Sequence, residues 1–241
     1  MKEIKITTKS SDNLSELVYQ RIKNDIFDFK LMPGERFTES EVAKAYDVSR
    51  TPIRQALYRL QQEGYVDVSF RSGWQIRPLN FRYYEELYDV RIVLEKDSIR
   101  KLCQIDHQNS VELSVLTDLW LIEPHQYLKD IKQLSQQDED FHCALVRASG
   151  NNEMAKIHGD LSERIRIIRR LDFSKDYRVE ATYQEHQKIL GYIFNRKVDE
   201  AIQAIEAHIM QSRDEVKKIT LQMLDSSQFR GGSGNLNNTY K

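Results

Sequence analysis

Apolar residues recur at helical spacing through most of this chain, with one short interruption. Leu14, Val18, Ile22, Ile26 and Phe27 make the stripe of a first helix, closed by Met32-Pro33-Gly34. Val42, Ala43 and Tyr46 are the apolar side of a short second helix, which Thr38-Glu39-Ser40-Glu41 opens as a capping box. After the turn Asp47-Val48, Ile53, Leu57 and Leu60 give a third helix its inner face. Ser49 suits its N-cap, since the hydroxyl can accept from a first-turn amide. Pro52 falls in that first turn, where a missing N–H costs nothing. Gly64 stops the helix, and the period then drops to two. Tyr65-Val66-Asp67-Val68-Ser69-Phe70 alternates, Arg71-Ser72-Gly73 turns, and Trp74-Gln75-Ile76-Arg77 returns.

Beyond Pro78-Leu79-Asn80 no strand pattern remains. Leu87, Val90, Leu94, Ile99 and Leu102 mark a helix over about 81–105, with Asn80 able to cap it. Further helices are expected over 109–122, 129–148, from the capping Asn151 to about 171, 176–195 and 198–224. The predicted fold is mainly α, an N-terminal winged helix-turn-helix followed by an antiparallel bundle of about six helices. The domains are expected at 13–79 and 80–225, between a flexible N-terminus (1–12) and a disordered tail (226–241) that contains Gly-Gly-Ser-Gly. There are no repeats.

Helix, tight turn and helix suit DNA, because the second helix of such a pair enters the major groove. Arg50 and Arg54 are four apart and share one face there. A hairpin with Gly and Arg at its tip suits a wing on the sugar-phosphate backbone. The formal net charge of −1 changes this picture less than its distribution does. Residues 1–79 carry thirteen Lys and Arg against eleven Asp and Glu, and the rest carries twenty-three against twenty-six. From Arg50 to Arg77 there are five arginines and two acids, a local positive field rather than a general nucleic-acid coat.

Composition adds little further. Hydrophobic content of 40% beside 30% charged residues is ordinary for a globular chain. No run of eighteen apolar residues exists and Met1-Lys2-Glu3-Ile4-Lys5 lacks a signal core, so no membrane role and a cytoplasmic location are expected. Cys103 and Cys143 lie in apolar helical patterns and read as reduced core thiols.

Pro33-Gly34-Glu35-Arg36, Glu39, Glu41-Val42-Ala43, Val48-Ser49-Arg50-Thr51-Pro52-Ile53-Arg54, Ala56-Leu57, Leu60 and Glu63-Gly64 together resemble the signature of GntR-family transcriptional regulators, over roughly residues 14–79. The resemblance implies that Arg36, Arg50, Thr51, Arg54 and Gly73 contact a double-stranded operator. Arg50 and Arg54 would reach base edges, and Arg36 would lie nearer the phosphates. Asp47 stands where the family favours Gly, and Gln55 replaces the usual Glu.

In the bundle, Asp138 and His142 are four apart on one helix, and His186 and His208 lie on the last two. One carboxylate and three imidazoles are donors that zinc, nickel, iron or manganese accept. On spacing alone they are as readily unrelated core or surface groups. Asp138-x-x-Phe141-His142, Ala148-Ser149-Gly150-Asn151, Glu185-His186, Ala207-His208 and Tyr88-x-x-Arg91-x-x-x-Glu95 resemble the all-helical effector (FCD) domain of the FadR branch of that family, over roughly residues 81–222. That resemblance implies a divalent metal, zinc first, on Asp138, His142, His186 and His208. It also implies that Arg91 holds the carboxylate of a small organic acid, the alternative being a salt bridge to Glu95. Tyr83, Tyr84, Arg164 and Tyr183 are weaker pocket candidates. His107, His125 and His158 read as surface or capping residues, and the basic run Arg164–Arg170 as a solvated face with pocket or interface arginines.

The expected function is a ligand-responsive, homodimeric transcriptional regulator, a repressor by family tendency, on a palindromic operator. One alternative is a regulator switched by the metal itself. A metal-dependent enzyme is the other, and it leaves residues 38–77 without a purpose.

Overall fold

A computed structural model describes residues 11–69, 73–105, 110–172 and 177–225. The expected tail, most of the expected loose N-terminus, the hairpin tip at 70–72 and His107 lie outside them. The chain divides into two compact units with the boundary between Leu79 and Asn80.

The first unit runs α1 (Ser11–Phe27), β1 (Arg36–Phe37), α2 (Glu39–Tyr46), α3 (Arg50–Gln62), β2 (Val66–Ser69) and β3 (Gly73–Ile76). Its core is the predicted one. Val18, Ile22 and Ile26 of α1 face Ile53, Leu57 and Leu60 of α3, all almost fully buried. The capping box is present: the Glu41 amide donates to Thr38 Oγ1 at 3.2 Å, and the Thr38 amide donates to Glu41 Oε2 at 2.7 Å. Ser49 holds the N-cap position of α3 with extended backbone, but its side chain makes no capping hydrogen bond. Asp47 ends α2 in the left-handed region at φ 53°, which a short polar side chain tolerates, so the family's Gly is dispensable here.

The sheet has three strands rather than the two of the expected hairpin, in the order β1-β3-β2 and antiparallel throughout. β1 is too short to show as a period, and only its pairing with β3, Arg36 opposite Gln75 and Phe37 opposite Trp74, reveals it. Gly73 sits beside it at φ 90°. A Cβ there would lie 2.7 Å from the Phe37 carbonyl oxygen.

The second unit contains α4 (Phe81–Leu102), α5 (Val111–Trp120), α6 (Ile131–Ala148), α7 (Asn152–Asp172), α8 (Tyr177–Phe194) and α9 (Val198–Asp225). Asn80, Ser110 and Asp130 cap α4, α5 and α6 by accepting from the third amide of each helix, and Asn151 does so for α7. Helix α6 packs on α4, α5, α7 and α8, which puts its buried face at the centre of the bundle. The end of α5 is tied down by Gln187 of α8, whose Nε2 donates to the carbonyls of Trp120 and Ile122, both at 3.0 Å. Among the described residues no helix is long and apolar enough to cross a membrane.

Replacing Gly73 with Ala adds both left-handed strain and a clash with backbone. Gly34 has a similar φ of 86° but open space around it. Urea unfolding should therefore show a loss of about 1–2 kcal/mol for Gly34→Ala, from strain alone, and a larger loss for Gly73→Ala.

Candidate metal centre and nucleic-acid interface

Helix α6 projects Asp138 and His142 from successive turns of its buried face, α8 supplies His186 and α9 supplies His208. All four side chains are at most 6% exposed. Their Nε2 atoms and Asp138 Oδ1 converge. His142 and His208 are 3.1 Å apart, and His186 and His208 are 3.4 Å apart. Oδ1 stands 3.2, 3.7 and 3.8 Å from His186, His142 and His208. The Oδ1–His186 contact is at an angle that makes no hydrogen bond, and Oδ1 is left without a partner. Four donors around a cation at zinc–nitrogen distances of about 2.0–2.1 Å stand roughly 3.3 Å apart, so this spacing fits a divalent metal.

The far side of three of the four donors is held by a second residue, while His186 Nδ1 is buried without a hydrogen-bond partner. Glu95 of α4 accepts from His142 Nδ1 at 2.6 Å, and Glu185 accepts from His208 Nδ1 at 2.6 Å. These bonds leave the Nε2 lone pairs facing inward. Arg169 Nη2 of α7 donates to Asp138 Oδ2 in a short buried contact. Phe141 stacks on His186 with ring centroids 3.8 Å apart, and Trp120 meets the same ring edge-on at 4.1 Å. Carboxylates and an arginine thus orient the donors, while aromatic rings exclude water.

Burial pushes the His142 imidazolium down in pKa, with the nearby Arg91 charge adding to it, and burial pushes His186 well down. Both rings are therefore neutral and able to bind a metal at neutral pH. Burial alone would raise Glu95, but the Arg91 charge and the hydrogen bonds from His142 and His158 outweigh it and hold the carboxyl well below its ordinary range. The same contest, won chiefly by the Arg169 charge, keeps Asp138 ionised.

Arg91 points into this network. Its Nε donates to Glu95 Oε1 at 2.7 Å, and both residues are buried. His158 corrects a sequence expectation. It is neither on the surface nor capping, but fully buried on α7 with Nε2 3.0 Å from Glu95 Oε1. Glu95 therefore joins Arg91, His142 and His158, across sequence separations of 4, 47 and 63 residues. Among the weaker candidates, Arg164 and Tyr83 are exposed. Tyr183 is buried, and it anchors the connection before α6 by accepting from the Leu128 amide at 3.1 Å. His125 is exposed.

In the first unit Arg36, Arg50, Thr51, Arg54 and Gly73 are all exposed. Arg50 and Arg54 share Glu39 of α2, at 3.2 and 2.8 Å. The Arg54 hydrogen bond is the chief cause of the lowered Glu39 pKa. Arg36 opens β1 opposite Gln75, and Gly73 opens β3 opposite Ser69 of β2.

Sequence comparisons agree with this division. Residues 14–76 match the model of bacterial regulatory proteins of the gntR family, and residues 86–211 match that of the FCD domain. The Nta operon transcriptional regulator of Aminobacter aminovorans is 33% identical over 191 residues, covering 79% of this chain and 89% of that one. The regulator YdhC of Bacillus subtilis is 28% identical, covering 83% and 90%. A GntR regulator from Rhodococcus sp. RHA1 superposes with a TM-score of 0.64 at 19% identity, over 86% of this chain and 98% of that one, which shows the shared fold. The chain belongs to the GntR family, with an FCD domain as its second unit. It is a DNA-binding transcriptional regulator, not an enzyme. Regulators of this family bind operators and typically act as dimers.

Removing Arg169 leaves the Asp138 carboxylate buried without its cation. Arg169→Ala should lower unfolding stability by about 3–5 kcal/mol in metal-free protein. A loss below 1 kcal/mol, measured by urea denaturation, would show that this ion pair does not organise the centre.

Proposed function

We propose that this regulator holds a divalent metal in its helical unit, takes a small organic acid beside it, and as a homodimer reads a palindromic operator with its winged unit. The observation that carries the reading is the convergence of Asp138 Oδ1 and three Nε2 atoms at 3.1–3.8 Å. Asp138, His142, His186 and His208 would hold the ion. Zinc suits the donors best, and nickel, iron or manganese accept the same set. Once bound, the ion supplies an electrophilic contact for a carboxylate oxygen.

Arg91 offers that carboxylate a guanidinium, exchanging part of its bond to Glu95 for a charge-assisted one. Glu95 keeps His142 and His158 as partners, so the exchange leaves it paired. Acid binding shifts operator affinity only as far as the acid prefers one arrangement of the two winged units over another. Each half-site is read by Arg50 and Arg54 at base edges, with Arg36, Thr51 and the Gly73 wing on the backbone. Repression is the sign favoured by relatives such as the gluconate operon transcriptional repressor of Bacillus subtilis, which is 27% identical. A protein that reads operators in bacteria works in the cytoplasm.

Arg54→Ala should weaken operator binding by about 1–3 kcal/mol and relax preference at one base pair per half-site. Unchanged binding in a gel-shift series would reject α3 as the reading helix. His186→Ala should abolish metal content in elemental analysis. Chelator treatment should lower the melting temperature of the wild-type protein but not that of His186→Ala, because an ion bound only to the folded state stabilises it. A wild-type protein purified and reconstituted without bound metal would overturn the proposed centre. Titrating operator binding separately with metal and with acids tells an acid-responsive regulator from one switched by metal alone.

A further inference from the structure

Two guanidiniums beside the cluster carry N–H groups that nothing satisfies. Arg91 uses Nε on Glu95 and Arg169 uses Nη2 on Asp138, while Arg91 Nη2 and Arg169 Nη1 are buried with no acceptor. The two side chains are 1% and 2% exposed. Leaving a buried charged donor unpaired is costly, so two such groups are a standing strain on the folded state. Tyr88 lies beside Arg91, whose Cζ is 5.9 Å from its ring, and its hydroxyl is 3.5 Å from Ser212 Oγ on α9. Helices α4, α7 and α9 thus bring two cations and two hydroxyls to the edge of the imidazole cluster.

Charge balance points the same way. Arg91 pairs with Glu95, Arg169 with Asp138 and Arg178 with Glu185. Each of these pairs cancels within itself. A divalent ion then adds two positive charges in a place closed to water, where net charge is costly. One carboxylate cancels half of that and satisfies one guanidinium.

We propose that the ligand is a small molecule with two carboxylates, one received by Arg91 and the other by Arg169 beside the Asp138 and histidine cluster. The inference rests on the metal-and-acid reading of the site and narrows its ligand class. A single anion with two charges, such as inorganic phosphate, would balance the ion without reaching both arginines.

The test uses the full-length protein reconstituted with zinc, its zinc content measured, and calorimetric titration with acetate, lactate, malonate, succinate, malate and inorganic phosphate. At least one dicarboxylate should bind about tenfold or more tighter than either monocarboxylate and than phosphate. Arg91→Lys and Arg169→Lys keep the charge and lose the planar two-pronged guanidinium, and each should abolish that preference when binding is expressed per bound zinc. Equal binding of the one- and two-carboxylate acids would overturn the proposal, as would phosphate matching the best dicarboxylate, or no binding of any acid to zinc-loaded protein. A preference kept by protein that holds no zinc would retain the two-carboxylate inference and overturn the metal reading instead. The wild-type series decides the question even where a lysine variant fails to fold.

Discussion

Three imidazole nitrogens and a carboxylate oxygen meet at the centre of the helical unit, 3.1–3.8 Å apart. Packing the lone pairs of His142 and His208 against a buried carboxylate is unfavourable, and burial strengthens that repulsion. The arrangement persists because each donor is braced from behind: His142 by Glu95, His208 by Glu185, Asp138 by Arg169, His186 by the stacked ring of Phe141. The braces come from α4, α8, α7 and α6 respectively, so the bundle must be assembled before the donors can converge. The centre is a property of the tertiary structure.

Glu95 shows how the centre connects to the rest of the unit. One carboxylate receives a guanidinium, an imidazole that faces the cluster and an imidazole that does not. A change at Arg91 is therefore felt at His142 through a single side chain. The route is short and needs no helix to move far. Buried groups of this kind are stable only as a set, since removing one partner strands the others.

Much of this was legible in the sequence. The stripe from Leu14 to Phe27, the Thr38–Glu41 box and the alternation after Gly64 depend on neighbours within a turn or two, and each formed as expected. Asp138 and His142 declared a shared face by their spacing of four. What the sequence hid lies across long separations. β1 is two residues long and exists through β3. Ser49 occupies its cap position without using its hydroxyl. His158 resembled a stray surface group because its partner, Glu95, is 63 residues away. Arg169 sat unremarked in a basic run, since no local pattern says which of its four arginines turns inward to Asp138. The clasp of Glu39 on Arg50 and Arg54 spans 11 and 15 residues and likewise had no periodic trace.

That clasp bears on how the protein searches a chromosome. On the proposed reading, in which Arg50 and Arg54 face the groove, a single acid would neutralise half their charge, so the tip of α3 would greet an arbitrary stretch of duplex with little attraction. The guanidiniums would gain by leaving Glu39 only where guanine edges offer acceptors in matching places. Random sequence would then be less sticky, and dwell time would concentrate on cognate sites.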